Sequence, residues 1–149
     1  MTAEELIATL DLTPHSEGGF YCRTWTVDGG ATGTLATHIY FLFRAGETNL
    51  WHRKDSNTLW HHYYGDPLQI ATSPTRYGPR VNQILGKDIA AGARPQISVA
   101  SNLWQRSDCL TGFCLAGVTV APGFRFEDVI LADDAFDPPY GVQTGGASA

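Results

Sequence analysis

Residues 46–65, GETNLWHRKDSNTLWHHYYG, decide the fold of this 149-residue chain. Glycines bracket the stretch, and His52, Lys54 and Thr58 recur at fixed intervals between them. Alternate side chains of a strand point to the same face, so His52 and Lys54 share one face, and Thr58 rejoins it after a turn at 55–57. The spacing predicts a strand–turn–strand unit whose inner face lines a barrel that can hold one small ligand.

Short runs of β-branched and aromatic residues, separated by turn residues, fill most of the chain around this unit. The predicted strands are 20–26, 35–43, 59–64, 68–72, 81–85, 97–100, 103–106, 112–120 and 129–131. One helix precedes them, with Thr2 and Glu5 as a capping box and Pro14 as its end. So many short strands at regular spacing predict a β-sandwich or barrel.

Composition is typical of one soluble globular domain. Apolar residues make up 43% and charged residues 17%, and the formal net charge is −5. Without a basic cluster or a long apolar run, we expect neither a nucleic-acid nor a membrane partner. The N-terminus MTAEE lacks a signal-peptide pattern, which predicts a cytoplasmic protein. We assign residues 1–136 to a single domain and residues 137–149 to a weakly ordered or partner-contacting tail.

Ordered sequence blocks across most of the chain resemble one subfamily of the cupin superfamily, whose members are mostly of uncharacterised function. The blocks are LTPHSEGGFY (12–21), IYFLF (39–43), WHR (51–53), WHHYYGDPL (60–68), ILG (84–86), PQ (95–96), LWQ (103–105) and TVAPGF (119–124). The resemblance implies an all-β fold, the double-stranded β-helix or jelly-roll barrel, usually paired as a homodimer.

Both cupin signatures are present in altered form. The first, G-x5-H-x-H-x3-E-x6-G, overlies residues 46–65 with Lys54 at the second His position and Thr58 at the Glu position. The second, P-x-G-x-x-H, would lie on residues 100–105 with Gln105 at the His position, as is usual in this subfamily. The frame of the metal-binding motif is therefore kept while most of its ligands are replaced.

Two departures are particular to this chain: Thr58 stands where relatives keep an acidic residue, and Arg23 where they often have Glu. A first-row metal in a cupin takes about three imidazoles and a carboxylate. Here His52 is one good ligand, and the ammonium of Lys54 repels a cation. We predict no functional metal and no other cofactor, and leave open a weak divalent metal site through His52 and a neighbouring histidine.

Two functions fit this pocket. The first is a metal-independent isomerase or epimerase: the resemblance in fold to nucleotide-sugar epimerases implies a pocket His as base and a Tyr as acid. His52 then takes the proton, the acid is Tyr40, Tyr63 or Tyr64, and Lys54 polarises a carbonyl oxygen or neutralises an enolate. The second is a non-catalytic ligand-binding module. A metal-dependent oxygenase is disfavoured by the ligand count.

The ligand expected in either case is a small polar molecule, sugar-like or a keto acid. The predicted catalytic residues are His52, Tyr63 and Lys54, and the predicted ligand-binding residues are Thr58, Trp60, His62, Gln105 and Tyr40. His62 faces the pocket if strand parity continues from Thr58, and a bulge would select His61 instead.

A second candidate region precedes the first strand. His15 and Glu17 flank a turn at 18–19, GG, that folds either over the barrel mouth or into a dimer interface. A turn with a purely structural role is equally well supported.

Overall fold

The computed structural model describes residues 1–31 and 33–141. Helix α1 spans Ala3–Thr9. The strands within the described residues are β1 (Thr13–Pro14), β2 (Phe20–Asp28), β3 (Thr34–Arg44), β4 (Thr48–Arg53), β5 (Asn57–Gly65), β6 (Leu68–Ser73), β7 (Val81–Leu85), β8 (Gln96–Val99), β9 (Trp104–Asp108), β10 (Phe113–Ala121) and β11 (Ile130–Leu131). A 3-10 turn at Phe126–Asp128 separates the last two strands.

The strands form two antiparallel sheets. The larger sheet has the order β1-β2-β3-β10-β5-β8, and the smaller has the order β11-β4-β9-β6-β7. Strand β10, late in the chain, lies between β3 and β5 and pairs with both along most of its length. Such long connections between neighbouring strands are typical of a jelly roll. The predicted all-β jelly-roll barrel with a short N-terminal helix is confirmed.

The main apolar core fills the space between the sheets. Phe41, Phe43 and Trp60 are buried there, and their rings lie within 6.4 Å of one another, centroid to centroid. Strand β3 sends Phe41 and Phe43 inward because they are two residues apart, and the intervening Leu42 faces the other way. The inward side of β3 therefore forms one wall of the barrel interior.

A smaller apolar core lies outside the barrel, where α1 covers the larger sheet. Leu6 and Leu12 pack there against Leu42 of β3 and Leu115 of β10. The predicted capping box is present, since Thr2 and Glu5 each bond the other's backbone N–H. The helix ends at Thr9, before Pro14, because the chain reverses through a left-handed residue, Asp11, with φ of 53°.

Part of the segment predicted as a tail lies against the smaller sheet. The backbone N–H of Arg80 donates to the carbonyl of Pro139 (2.8 Å), and the amide of Asn82 donates to the Tyr140 hydroxyl (2.8 Å). Residues 142–149 of the predicted tail lie outside the described residues. No helix in the described part of the chain is long and apolar enough to cross a membrane.

Candidate functional site

A cavity of about 40 Å³ opens inside the barrel. Its polar and charged walls are formed by His15, Glu17, Arg23, Thr37, Asn49, His52 and Lys54. Its aromatic walls are formed by Tyr21, Phe41, Trp60 and Phe124. The cavity therefore combines a small apolar slot with a dense group of ionisable side chains, the arrangement expected of a small-molecule site.

Three of the polar groups come from β4 and the residue that follows it, Lys54, and a bulge in β4 turns the first of them, Asn49, inward. The pairing of β4 with β9 shifts register between Asn49 and His52, so both side chains face the cavity although they are three residues apart. Leu50, within the bulge, points outward and is half exposed. Asn49, His52 and Lys54 are all buried, with exposed fractions of 3%, 2% and 6%.

The turn between β1 and β2 supplies His15 and Glu17. Gly18 and Gly19 have φ of 110° and 79°, and at Gly18 a Cβ would collide with the carbonyl oxygen of Thr48. This close approach lets the Leu50 N–H donate to the Glu17 carbonyl at 3.2 Å, which fixes the turn to β4. The two glycines thus bring a residue distant in sequence against His52.

His52 and Glu17 face each other across the cavity. Nε2 of His52 lies 3.9 Å from Oε2 of Glu17, and both side chains are nearly fully buried. Nδ1 of His52 donates to the carbonyl of Leu50 at 2.7 Å, so the neutral ring presents an unprotonated Nε2 to the cavity. His15 accepts at Nδ1 from the Glu17 backbone N–H at 3.0 Å.

Burial controls the protonation of this cluster. Burial, together with the smaller effect of the nearby Lys54 ammonium, lowers the pKa of His52 to about 3 and that of His15 to about 4. Burial also lowers the pKa of Lys54 to about 8, an effect that the Glu17 charge opposes. Burial raises the pKa of Glu17, which Lys54 opposes. At neutral pH the cavity therefore holds neutral imidazoles beside a largely charged ammonium.

Thr58, Trp60 and Gln105 form a hydrogen-bonded group next to the cavity. Trp60 lines the cavity, and its indole N–H donates to Oε1 of Gln105 at 3.2 Å. The amide of Gln105 in turn lies 3.4 Å from the hydroxyl of Thr58. Gln105 and Thr58 are each 2% exposed and do not line the cavity. Thr58 and Gln105 therefore hold Trp60 in place and do not contact a ligand in the cavity directly.

We expect Gln105→Leu to lower the free energy of unfolding by about 2 kcal/mol, because it leaves the buried Trp60 N–H without its acceptor. Chemical denaturation of the purified variant measures the change. Gln83→Leu is the matched control, since Gln83 is exposed on β7 and its replacement should change stability by less than about 0.5 kcal/mol. Equal effects of the two substitutions would show that the Trp60–Gln105 bond contributes no stability.

Three of the predicted site residues lie away from the cavity. Tyr40 and Tyr63 are on the outer face of the larger sheet, where the Tyr63 hydroxyl lies 3.0 Å from Nε2 of His38. Tyr40 faces outward because it alternates with the inward Phe41, and Tyr63 sits at a bulge in the pairing of β5 with β10. His62 keeps the parity of Trp60 but lies past the cavity, 3.2 Å from the carbonyl of Asp66.

The structure adds cavity residues that the sequence did not predict as site residues. Tyr21 is a tyrosine of the cavity wall, and its ring meets His15 edge-on at 4.7 Å between centroids. The sequence predicts His15 and Glu17 in a turn over the barrel mouth or in a dimer interface, and the structure places both in the cavity wall. The sequence does not predict Asn49 in the cavity wall, because no residue type marks the bulge that turns its side chain inward.

The residues at the metal-ligand positions do not fit a metal ion. Thr58 and Gln105 are hydrogen-bonded in the group that contains Trp60. Lys54 brings a positive charge to the second His position of the first cupin signature. Within residues 1–31 and 33–141, no group of three or more His, Cys, Asp or Glu side chains is arranged to hold a metal ion. Of the four metal-ligand positions, only that of His52 carries an imidazole and none carries a carboxylate, fewer than a first-row metal site takes.

Comparison with protein families agrees with this architecture. The family model described as Cupin superfamily (DUF985) matches residues 4–132. The chain belongs to this cupin family. Membership supports a small-molecule-binding cupin in general and no particular reaction. No match was found among curated proteins.

Solved structures of other cupins share the fold. Protein SO0799 from Shewanella oneidensis is 36% identical with a TM-score of 0.83, over 89% of this chain and 85% of that one. A hypothetical protein from Leishmania major is 27% identical with a TM-score of 0.78, over 91% and 90%. Oxalate decarboxylase from Bacillus subtilis, 13% identical with a TM-score of 0.62 over 82% of this chain and 30% of that one, shows the fold alone.

Proposed function

We propose that this cupin is a metal-independent isomerase or epimerase that removes and returns a proton next to a carbonyl group in a small polar ligand. The observation that carries the proposal is the facing pair of His52 and Glu17, with Nε2 and Oε2 3.9 Å apart in a buried cavity that Lys54 also lines. A base beside a cation is the arrangement that enolate chemistry needs.

Glu17 is the stronger proton acceptor of the pair. Its pKa is raised by burial toward the working range of a general base, whereas the pKa of His52 is lowered to about 3. The C–H bond breaks as its proton passes to the Glu17 carboxylate, and the electron pair moves to the carbonyl oxygen. The unprotonated Nε2 of His52 accepts a hydrogen bond from the ligand or from the protonated Glu17.

Lys54 stabilises the negative charge that develops on the carbonyl oxygen, as an ammonium does in a dry site. Return of a proton from Glu17 to the same face of the deprotonated carbon keeps the configuration, whereas donation by the phenol of Tyr21 to the opposite face inverts it. We assign the role of proton donor to Tyr21 instead of Tyr63, because Tyr21 lines the cavity and Tyr63 lies on the outer face of the larger sheet. Atoms balance without a cofactor, since one proton leaves the ligand for Glu17, one enters it from Glu17 or Tyr21, and both groups regain their starting protonation by exchange with solvent.

The test is solvent exchange of a ligand found by thermal shift. Sugars, sugar nucleotides and small keto acids are screened for a rise in melting temperature, and each hit is incubated in deuterium oxide and followed by NMR. We expect Glu17→Gln to slow deuterium uptake at least about 100-fold and His52→Ala at least about 10-fold. Tyr63→Phe, on the outer face, should leave the rate unchanged. Full exchange in both Glu17→Gln and His52→Ala would refute the proposal.

A non-catalytic binding module is the second candidate. The low pKa of His52, about 3, favours it, because such an imidazole is a weak base at neutral pH. A ligand that raises the melting temperature but takes up no deuterium would support this function. The homodimer and the cytoplasmic location stay predictions, and light scattering of the purified protein measures the first.

A further inference from the structure

We propose that the cavity binds a short-chain 2-oxo carboxylate, with the ammonium of Lys54 as the partner of its carboxylate and Arg23 at the cavity opening. The inference rests on the proposed function, because it names the class of ligand on which the pair of His52 and Glu17 acts.

The first observation is that the ammonium of Lys54 lines the cavity and makes no hydrogen bond with the described residues. The residue is 6% exposed and lines the cavity. Within residues 1–31 and 33–141 its Nζ makes no hydrogen bond, and the charge that acts on it is that of Glu17. A buried charge without hydrogen bonds is costly, so proteins pair such groups. Because the ammonium faces the cavity, the missing acceptor belongs to what the cavity binds.

The second observation is the charge of the cavity wall. Arg23 and Lys54 are cationic. Among the described residues that line the cavity, the one carboxylate is that of Glu17. His15 and His52 are neutral at pH 7, since their pKa values are about 4 and about 3. The wall therefore carries an excess of positive charge although the whole chain has a formal net charge of −5. Such a pocket concentrates anions.

Arg23 gives the anion a route inward. Its side chain is exposed and lines the cavity, and Nη2 donates to the backbone carbonyl of Phe124 at 3.3 Å. No carboxylate lies within 4.0 Å of this guanidinium in the described part of the chain. A carboxylate entering the cavity therefore meets a guanidinium at the opening and an ammonium inside.

Three requirements select the ligand class: a small size, a negative charge for Lys54 and a carbonyl group next to the carbon that faces Glu17. A cavity of about 40 Å³ is small, and a sugar nucleotide is far too large for it. In a 2-oxo acid, the carboxylate and the adjacent carbonyl oxygen can lie on the same edge of the molecule. One ammonium, that of Lys54, then contacts both oxygens and leaves the neighbouring carbon free to face Glu17.

The experiment compares pyruvate with its neutral isostere pyruvamide by isothermal titration calorimetry. We expect the wild-type protein to bind pyruvate at least 10-fold more tightly than pyruvamide. Lys54→Met should remove this preference by weakening pyruvate binding and leaving pyruvamide binding within about two-fold. Lys87→Met is the matched control, because Lys87 is exposed and lies outside the cavity, and it should keep the full preference.

A second variant keeps the inference falsifiable if Lys54→Met does not fold. Arg23 is exposed, so Arg23→Glu should fold normally, and we expect it to lower the preference for pyruvate at least about five-fold. Equal affinity of the wild-type protein for pyruvate and pyruvamide, or binding of neither, would overturn the inference. So would an unchanged preference in Arg23→Glu.

The outcome also separates this inference from the proposed function. If pyruvate binds through Lys54 but its methyl group takes up no deuterium, the isomerase proposal fails and the ligand class stands. If neutral carbonyl compounds bind and exchange as well as pyruvate does, the ligand class fails and the isomerase proposal stands.

Discussion

Gly18→Ala is expected to lower the free energy of unfolding by about 3 kcal/mol or more. An L-residue at φ of 110° is strained by roughly 1–2 kcal/mol. The added Cβ also collides with the backbone carbonyl of Thr48, which cannot rotate away as a side chain would, and such overpacking costs about 1–3 kcal/mol. Urea denaturation of the purified variant measures the sum. The turn must move away from β4, so Glu17 should also leave the cavity and ligand binding should fall.

Gly46→Ala is the matched control for this substitution. Gly46 also has a positive φ, 83°, but a Cβ there meets nothing within 4 Å. Its replacement should therefore cost the backbone strain alone, about 1–2 kcal/mol. If Gly18→Ala and Gly46→Ala destabilise the protein equally, the close approach of Gly18 to Thr48 does not constrain the turn.

Acidification should destabilise the fold well before carboxylates are protonated. The folded pKa values of His15 and His52, about 4 and about 3, lie below the ordinary value of 6.5. Below pH 6.5 the two imidazoles therefore bind protons in the unfolded chain but stay neutral in the folded chain. The free energy of unfolding falls as the pH falls. Two such groups reduce the free energy of unfolding by about 4 kcal/mol between pH 6.5 and pH 4.5.

Urea denaturation at several pH values between 7.5 and 4.5 measures this dependence. The slope of the free energy of unfolding against pH gives the number of protons bound on unfolding. His52→Gln should lower this number by about one, and the double replacement of His15 and His52 by Gln should lower it by about two. Glu17 works in the opposite direction, because its raised folded pKa favours the folded state at low pH. A double variant that keeps the full pH dependence of the wild-type protein would contradict the assignment of the effect to these imidazoles.

The strands were predictable because their boundaries carry strong local signals. Strand β7, Val81–Leu85, agrees with the predicted 81–85, and β2 extends the predicted 20–26 by two residues to its glycine turn. Alternation also placed His52 and Lys54 together on the inner face, as the structure has them. These features depend on neighbours within a few residues, which a single sequence contains.

The rest of the site depends on contacts that local patterns do not encode. Glu17 reaches the cavity through a backbone bond from Leu50, more than 30 residues later in the chain. Asn49 turns inward at a bulge that no residue type marks. Strand β3 is apolar on both faces, so alternation does not indicate that Tyr40 points away from the cavity.

The two faces of β3 and β10 serve different apolar clusters. Leu42 and Leu115 belong to the cluster under α1, whereas their neighbours Phe43 and Cys114 belong to the barrel interior. Helix α1 can therefore detach in a local opening that exposes the outer cluster while the interior stays closed. The ionisable cavity lies wholly on the interior side, so its geometry survives fluctuations at the N-terminus.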